Sequence, residues 1–152
     1  PSAVLKIMKD EGFTPDEMSN LLNKQSGVLG ISGVSSDMQA ICAAFQAGNE
    51  RAALDLDMYN YRIKKYIGAY AAAMGGVDII VFTAGVGEHQ WDIRRASVSG
   101  LEFFGIKLDE EKNRKNFGEE EIISTPDSKV KVVVVPTDEE LLIASDTLNL
   151  VK

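Results

Sequence analysis

Two short segments combine residue types and spacings that could do chemistry: Thr83-Ala84-Gly85-Val86-Gly87-Glu88-His89 and Thr137-Asp138-Glu139-Glu140. Gly85 and Gly87 follow the apolar run Val77-Asp78-Ile79-Ile80-Val81-Phe82, which reads as a buried strand entering a tight turn. Without a Cβ, the two glycines can take left-handed dihedrals and let backbone amides approach phosphate oxygens or a nucleotide sugar closely. An ordinary strand-to-helix connection reads the same way. Known glycine patterns narrow the choice. A dinucleotide fingerprint needs a third glycine where Gln90 stands, and no segment ends in Gly-Lys-Ser/Thr as a P-loop would.

The second segment follows the strand Val130-Lys131-Val132-Val133-Val134-Val135, which Pro136 ends. Thr137 reads as a helix cap with Glu140 as its capping-box partner, which leaves Glu139 without a structural task. A carboxylate at a strand end, beside a helix N-terminus, can bind Mg²⁺ or a water in its shell. The alternative is that Asp138, Glu139 and Glu140 only complement the helix dipole. The units Val77–Ser99 and Val130–Val151 thus both put polar residues at the carboxyl end of a strand, the edge where open α/β sheets hold ligands.

The remaining elements frame these two sites. Ala3 to Met8 forms a short helix that Gly12 can end, and Thr14-Pro15-Asp16-Glu17 is a capping box opening a helix through Met18, Leu21 and Leu22. From Lys24 to Asp37 small polar residues and glycines alternate with single aliphatics, as in a surface loop. Val28, Leu29, Ile31 and Val34 make it too apolar for a linker and predict partial burial, so it could form a pocket wall. Ser36 or Asp37 then caps a helix carrying Met38, Ala40, Ile41, Ala44 and Phe45, with Cys42 as a small core residue. From about Arg51 to Met74, Tyr59, Ile63, Tyr66, Ile67, Tyr70, Ala73 and Met74 recur at helical spacing and predict one long helix. Its tyrosines read as core packing or a subunit interface before an aromatic binding box. Trp91 to Val98 is a helix whose start could aim amides at an anion, and Asp109 to Asn116 is a helix with a solvated charged face. His89, the only histidine, has no His or Cys partner for zinc and reads as a surface or pocket-rim residue.

Composition sets the class. A chain of 152 residues, 45% hydrophobic, can bury one core and predicts a single unit over residues 1–152. With 16 basic and 23 acidic residues it lacks the electropositive surface that nucleic acid or an anionic membrane requires. The lone cysteine excludes an internal disulfide, and no apolar run spans a bilayer, so a cytoplasmic globular protein is expected.

Three segments, in order, resemble the acetate kinase family. Asn23 to Asp37 is similar to its "NKKSGLLGISGVSSD", Phe82 to Glu88 to its "FTGGIGE", and Pro136 to Leu141 to its "PTNEEL". The resemblance implies the acetate and sugar kinase, heat-shock chaperone and actin superfamily, with a partial, helix-rich, ribonuclease-H-like α/β domain. It implies phosphoryl transfer between ATP and acetate, giving acetyl phosphate and ADP, by a homodimer. Carried over by position, Asp37, Met38 and Gln39 contact the adenosine, Gly85, Val86, Gly87, Glu88 and His89 wrap the nucleotide, and Glu139 serves Mg²⁺. Gln39 replaces the family's usual arginine and His89 its usual asparagine, both at the expected nucleotide rim.

Family enzymes have two such domains, and this chain matches the later part of the second. The acetate pocket, the catalytic arginines and the phosphoryl-steadying histidine would lie upstream of Pro1-Ser2, so no catalytic residue beyond the metal ligand is expected here. The chain is expected to be inactive alone. A propionate or other short-chain acyl kinase fragment, and a non-catalytic nucleotide-binding or dimerisation module, are the alternatives.

Overall fold

Local capping chemistry sets the first elements of the computed structural model, which describes residues 2–151. Helix α1 (Ser2–Glu11) ends at Gly12, whose φ of +72° is open to glycine at little cost. Pro1, expected just before this helix, lies outside the described residues. Helix α2 (Pro15–Asn20) starts with the expected box: Glu17 N–H donates to Thr14 Oγ1, and Glu17 Oε2 accepts from Thr14 N at 2.8 Å. A π-helical turn, Leu21–Gln25, continues it directly.

The segment expected as a glycine loop is mostly helical. After that turn comes helix α3 (Gly27–Ser32), and only 33–37 form the loop. Glycines bracket α3: Gly27 and Gly33 both have positive φ, and Gly33 is its left-handed cap. Val28, Leu29 and Ile31 are half-buried, as their apolar spacing implies, but Val34 is exposed. Arg51 pins the end of α3, donating to the Ile31 carbonyl at 3.0 and 2.7 Å and to Gly30 at 3.3 Å. Helices α4 (Met38–Gln46) and α5 (Glu50–Met74) follow, and the latter matches the expected long helix within one residue. The chain divides into two compact units, Pro1–Arg62 and Ile63–Lys152, where composition predicts one.

In the second unit β1 (Ile79–Phe82) leads into α6 (Ala84–His89) and α7 (Trp91–Val98). A 3₁₀ turn at Glu102–Phe104, α8 (Glu110–Lys115), β2 (Glu121–Ile122), β3 (Lys131–Val134) and α9 (Glu139–Leu150) complete it. The sheet order is β1-β3-β2, with β1 and β3 parallel and β2 antiparallel. Register sets Phe82 beside Val134, so the two strands finish level at one edge.

Alternation along the strands sorts the sheet into two faces. Ile80, Phe82, Val132 and Val134 point inward to a core with Val98, Leu101, Ile106, Ile123 and Val130, against which Ile67 of α5 packs. Each such side chain contributes roughly 1.5–3 kcal/mol on burial. On the other face Ile79, Val81 and Ile122 are exposed. The stripe on α5 is likewise open at Tyr66, Tyr70 and Met74, contrary to a core-packing role for those residues. Among the described residues no helix is long and apolar enough to cross a membrane.

Candidate functional site

The parallel pairing of β1 and β3 brings the two strand-end segments together. Val135 N–H donates to the Phe82 carbonyl at 2.9 Å, extending the ladder to the edge. Beyond it, Thr83 and Thr137 pair hydroxyls at 2.7 Å, and Ala84 N–H donates to Thr137 Oγ1 at 3.2 Å. An open cleft of about 470 Å³ lies between them, lined on one side by Ala84, Gly85, Glu88 and His89 and on the other by Thr137 to Glu140. That volume lies within the range of small-ligand sites.

Gly85 and Gly87 do not form a turn. They belong to α6, and neither has the positive φ expected of it; the left-handed residue is Ala84, at +58°. Their lack of a Cβ serves different ends. A Cβ at Gly85 would meet no atom within 4 Å, so its open side faces the cleft. One at Gly87 would come within 3.2 Å of the Phe82 carbonyl carbon, so that glycine lets α6 pack against β1. Val86 is half-buried, and His89 is exposed, its ring against Phe117 at 5.4 Å.

Glu88 is engaged by the protein itself. It is 8% exposed, and its Oε1 accepts the Thr137 N–H at 2.9 Å. That bond is the largest influence holding its carboxyl below the ordinary value, against desolvation.

Arg94, on α7, is the anchor that the sequence reading missed. It is fully buried and donates to the carbonyls of Gly87 at 2.9 Å and Glu88 at 2.6 Å. Its other nitrogens reach Asn113 Oδ1 at 2.8 Å and the carbonyls of Asn113 and Asn116 at 2.7 and 3.0 Å. A guanidinium has five donors in a rigid fork, and here they tie the end of α6 to α8. The nearest signal in the sequence was two asparagines, Asn113 and Asn116, in a helix otherwise charged.

The acidic segment also departs from expectation. Asp138, not Thr137, caps α9: its Oδ1 accepts the Leu141 N–H at 2.9 Å. Thr137 is taken up by Thr83 and Ala84, so Glu140 has no capping-box task and stands with Glu139 in the first turn. Elimination therefore does not distinguish Glu139 from Glu140. Both are exposed, and both line the cleft. Among the described residues no three His, Cys, Asp or Glu side chains gather as a metal cluster. Mg²⁺ held together with a polyphosphate needs fewer, commonly one or two carboxylates, and this donor set fits that mode.

Asp37, Met38 and Gln39 lie in the first unit. Asp37 caps α4, its Oδ1 accepting the Gln39 N–H at 3.2 Å, and its own N–H donates to Ser35 Oγ at 3.0 Å. Asp37 and Gln39 are exposed and Met38 is half-buried. Ile41 and Cys42 face inward, while Phe45 is 47% exposed.

The acetokinase family profile matches residues 1–145. The acetate kinase of Bacteroides thetaiotaomicron is 66% identical over 150 residues, which cover 99% of this chain and 38% of that protein. Among solved structures, Porphyromonas gingivalis acetate kinase superposes with a TM-score of 0.90 at 55% identity, over 100% of this chain and 38% of that one. A propionate kinase from Francisella tularensis superposes at 0.82 with 34% identity, over 95% and 36%. The chain spans just over a third of the length of these relatives, and it belongs to the acetokinase family.

Proposed function

We propose that this chain supplies the nucleotide and metal side of an acetate kinase of the acetate and sugar kinase, heat-shock chaperone and actin superfamily. The reaction is phosphoryl transfer between ATP and acetate, giving acetyl phosphate and ADP. The observation that carries this reading is the cleft at the shared edge of β1 and β3, with Gly85 on one wall and Glu139 on the other.

The residues take distinct tasks. Gly85, with space where a side chain would be, admits the polyphosphate close to the backbone, Val86 beside it joins in wrapping the nucleotide, and Gly87 lets α6 pack against β1 behind it. His89, exposed at the rim, can donate one hydrogen bond to a nucleotide oxygen. Asp37, Met38 and Gln39 serve the adenosine, Met38 with its apolar surface and Gln39 with its amide. Glu139 holds Mg²⁺, with Glu140 beside it. Bound there, Mg²⁺ would supply charge neutralisation for the polyphosphate, the main need in a reaction governed by positioning and electrostatics.

Acetate enters through residues outside this chain, so the 152 residues alone bind nucleotide without turnover. The likeness to a propionate kinase keeps a longer acyl chain as the second reading. The exposed, stacked Tyr66 and Tyr70, 6.0 Å apart on α5, favour a homodimer through that helix. A cytoplasmic setting fits a sequence with a single cysteine, Cys42, which is buried.

Calorimetry with ATP, with and without Mg²⁺, tests the reading on the wild type and on Glu139→Ala. Weakening chiefly in the presence of metal is expected. Equal affinities for both proteins with Mg²⁺ would remove Glu139 from the metal site, and no binding by the wild type would leave the non-catalytic interface module.

A further inference from the structure

We infer that Glu88 is a positioning residue that sets the separation between the glycine helix and the acidic segment, and that it does not touch the nucleotide. The inference deepens the nucleotide reading above and rests on it. Both ends of Glu88 are committed. Its carbonyl takes a 2.6 Å hydrogen bond from buried Arg94, and its carboxylate takes the Thr137 N–H at 2.9 Å, across 49 positions of sequence. Arg94 is itself fixed to α8, so the chain of bonds runs from a buried anchor through α6 to the start of the acidic segment.

Thr137 is the receiving end. Its amide goes to Glu88, and its hydroxyl meets Thr83 and Ala84 from the β1 side. Glu139 follows two residues later with no intervening regular structure, so where Thr137 sits decides where Glu139 points. An ionised carboxylate only accepts hydrogen bonds. Loose in the cleft, it would repel phosphate oxygens; buried and bonded to an amide, it holds one wall against the other. The downward displacement of its carboxyl titration agrees with this engagement.

Amide NMR on the ¹⁵N-labelled chain tests the inference without any nucleotide. In the wild type the Thr137 amide resonance should move with pH at a midpoint below the ordinary 4.5 of a glutamate. Glu88→Gln should abolish that movement and displace the Glu139 and Glu140 amides, leaving Val132 and Ile123 in the core unmoved. Glu88→Asp, which retains the charge on a shorter arm, should restore a pH-dependent Thr137 amide if the glutamine variant does not fold. A Thr137 amide indifferent to Glu88, or Glu139 unmoved in Glu88→Gln, overturns the inference. In a titration with Mg²⁺ and ADP, Glu88→Gln should weaken binding by about tenfold, the scale of one hydrogen bond to a charged group. If the wild type binds no Mg²⁺-ADP while Thr137 still follows Glu88, the nucleotide reading fails and the bridging role of Glu88 is upheld.

Discussion

Replacing each glycine of α6 by alanine should move stability in opposite directions. An alanine in a helix interior is favoured over glycine by about 1 kcal/mol, and by less near an end, so Gly85→Ala gains about 0.5 kcal/mol where its Cβ meets nothing within 4 Å. At Gly87 the new Cβ would stand 3.2 Å from the Phe82 carbonyl carbon and 3.4 Å from Phe82 Cα. Carbon atoms rest at about 3.5–4.0 Å, so something must retreat. Phe82 is held by its pairing with β3, and α6 is held by Arg94 through the Gly87 and Glu88 carbonyls. Overpacking against fixed neighbours costs roughly 1–3 kcal/mol, which outweighs the helical gain and leaves Gly87→Ala about 1 kcal/mol less stable than the wild type. The two variants should then differ by about 1.5 kcal/mol, or roughly 0.5–1.5 M in urea midpoint. Trp91, the single tryptophan, opens α7 in the same unit, and its fluorescence reports the transition. A Gly87→Ala midpoint at or above that of Gly85→Ala would refute the packing argument. Mg²⁺-ATP affinity should follow the opposite pattern, falling more in Gly85→Ala, whose methyl group enters the cleft.

Three further outcomes are expected. Ala84→Gly relieves a left-handed alanine at about 1–2 kcal/mol, partly offset by unfolded-state entropy, for a net gain of about 0.5 kcal/mol, measurable as a raised urea midpoint. Arg94→Leu leaves four buried or half-buried backbone carbonyls without their donor and should cost about 3–5 kcal/mol, with Arg94→Lys recovering only part; a loss under about 1 kcal/mol would show that water replaces the guanidinium. Asp55 is 1% exposed, both its oxygens lack a hydrogen-bond partner among the described residues, and burial raises its carboxyl above 3.8. A raised folded-state value contributes stability that is present below the unfolded value and lost as pH rises through the folded one. Asp55→Asn should therefore match the wild type near pH 3 and exceed it at pH 7 in urea unfolding, and a constant difference across that range would rule the charge out.

The sequence was most legible where one local interaction decides the outcome. Thr14 and Glu17 are three apart with nothing competing for either, so the capping box forms as read. The long stripe on α5 outweighs its ends, and the β-branched runs at Ile79–Phe82 and Lys131–Val134 form adjacent strands. Legibility failed where a distant partner intervened. Thr137 has the right spacing to cap α9, but Thr83, 54 residues away, takes its hydroxyl and the cap passes to Asp138. The glycines around 27–33 suggested a loop because propensity alone disfavours helix there; Gly27 and Gly33 instead act as end signals, and Arg51 from α5 holds the short helix between them. Strand β2, two residues long, carries no periodicity to detect. Arg94 looks like any surface arginine until α8 folds over it.

The half-open sheet has a practical consequence for anyone handling this chain. Ile79, Val81 and Ile122 turn aliphatic side chains toward water on a sheet whose β1 margin pairs with no other strand among the described residues. Such a surface favours sticking to itself and to hydrophobic resins, more so in high sulfate, where exclusion of salt from apolar surface strengthens burial. Dilute, low-salt preparations should stay clear longest, and dye fluorescence from anilinonaphthalene sulfonate should light up on the native chain before any denaturant is added.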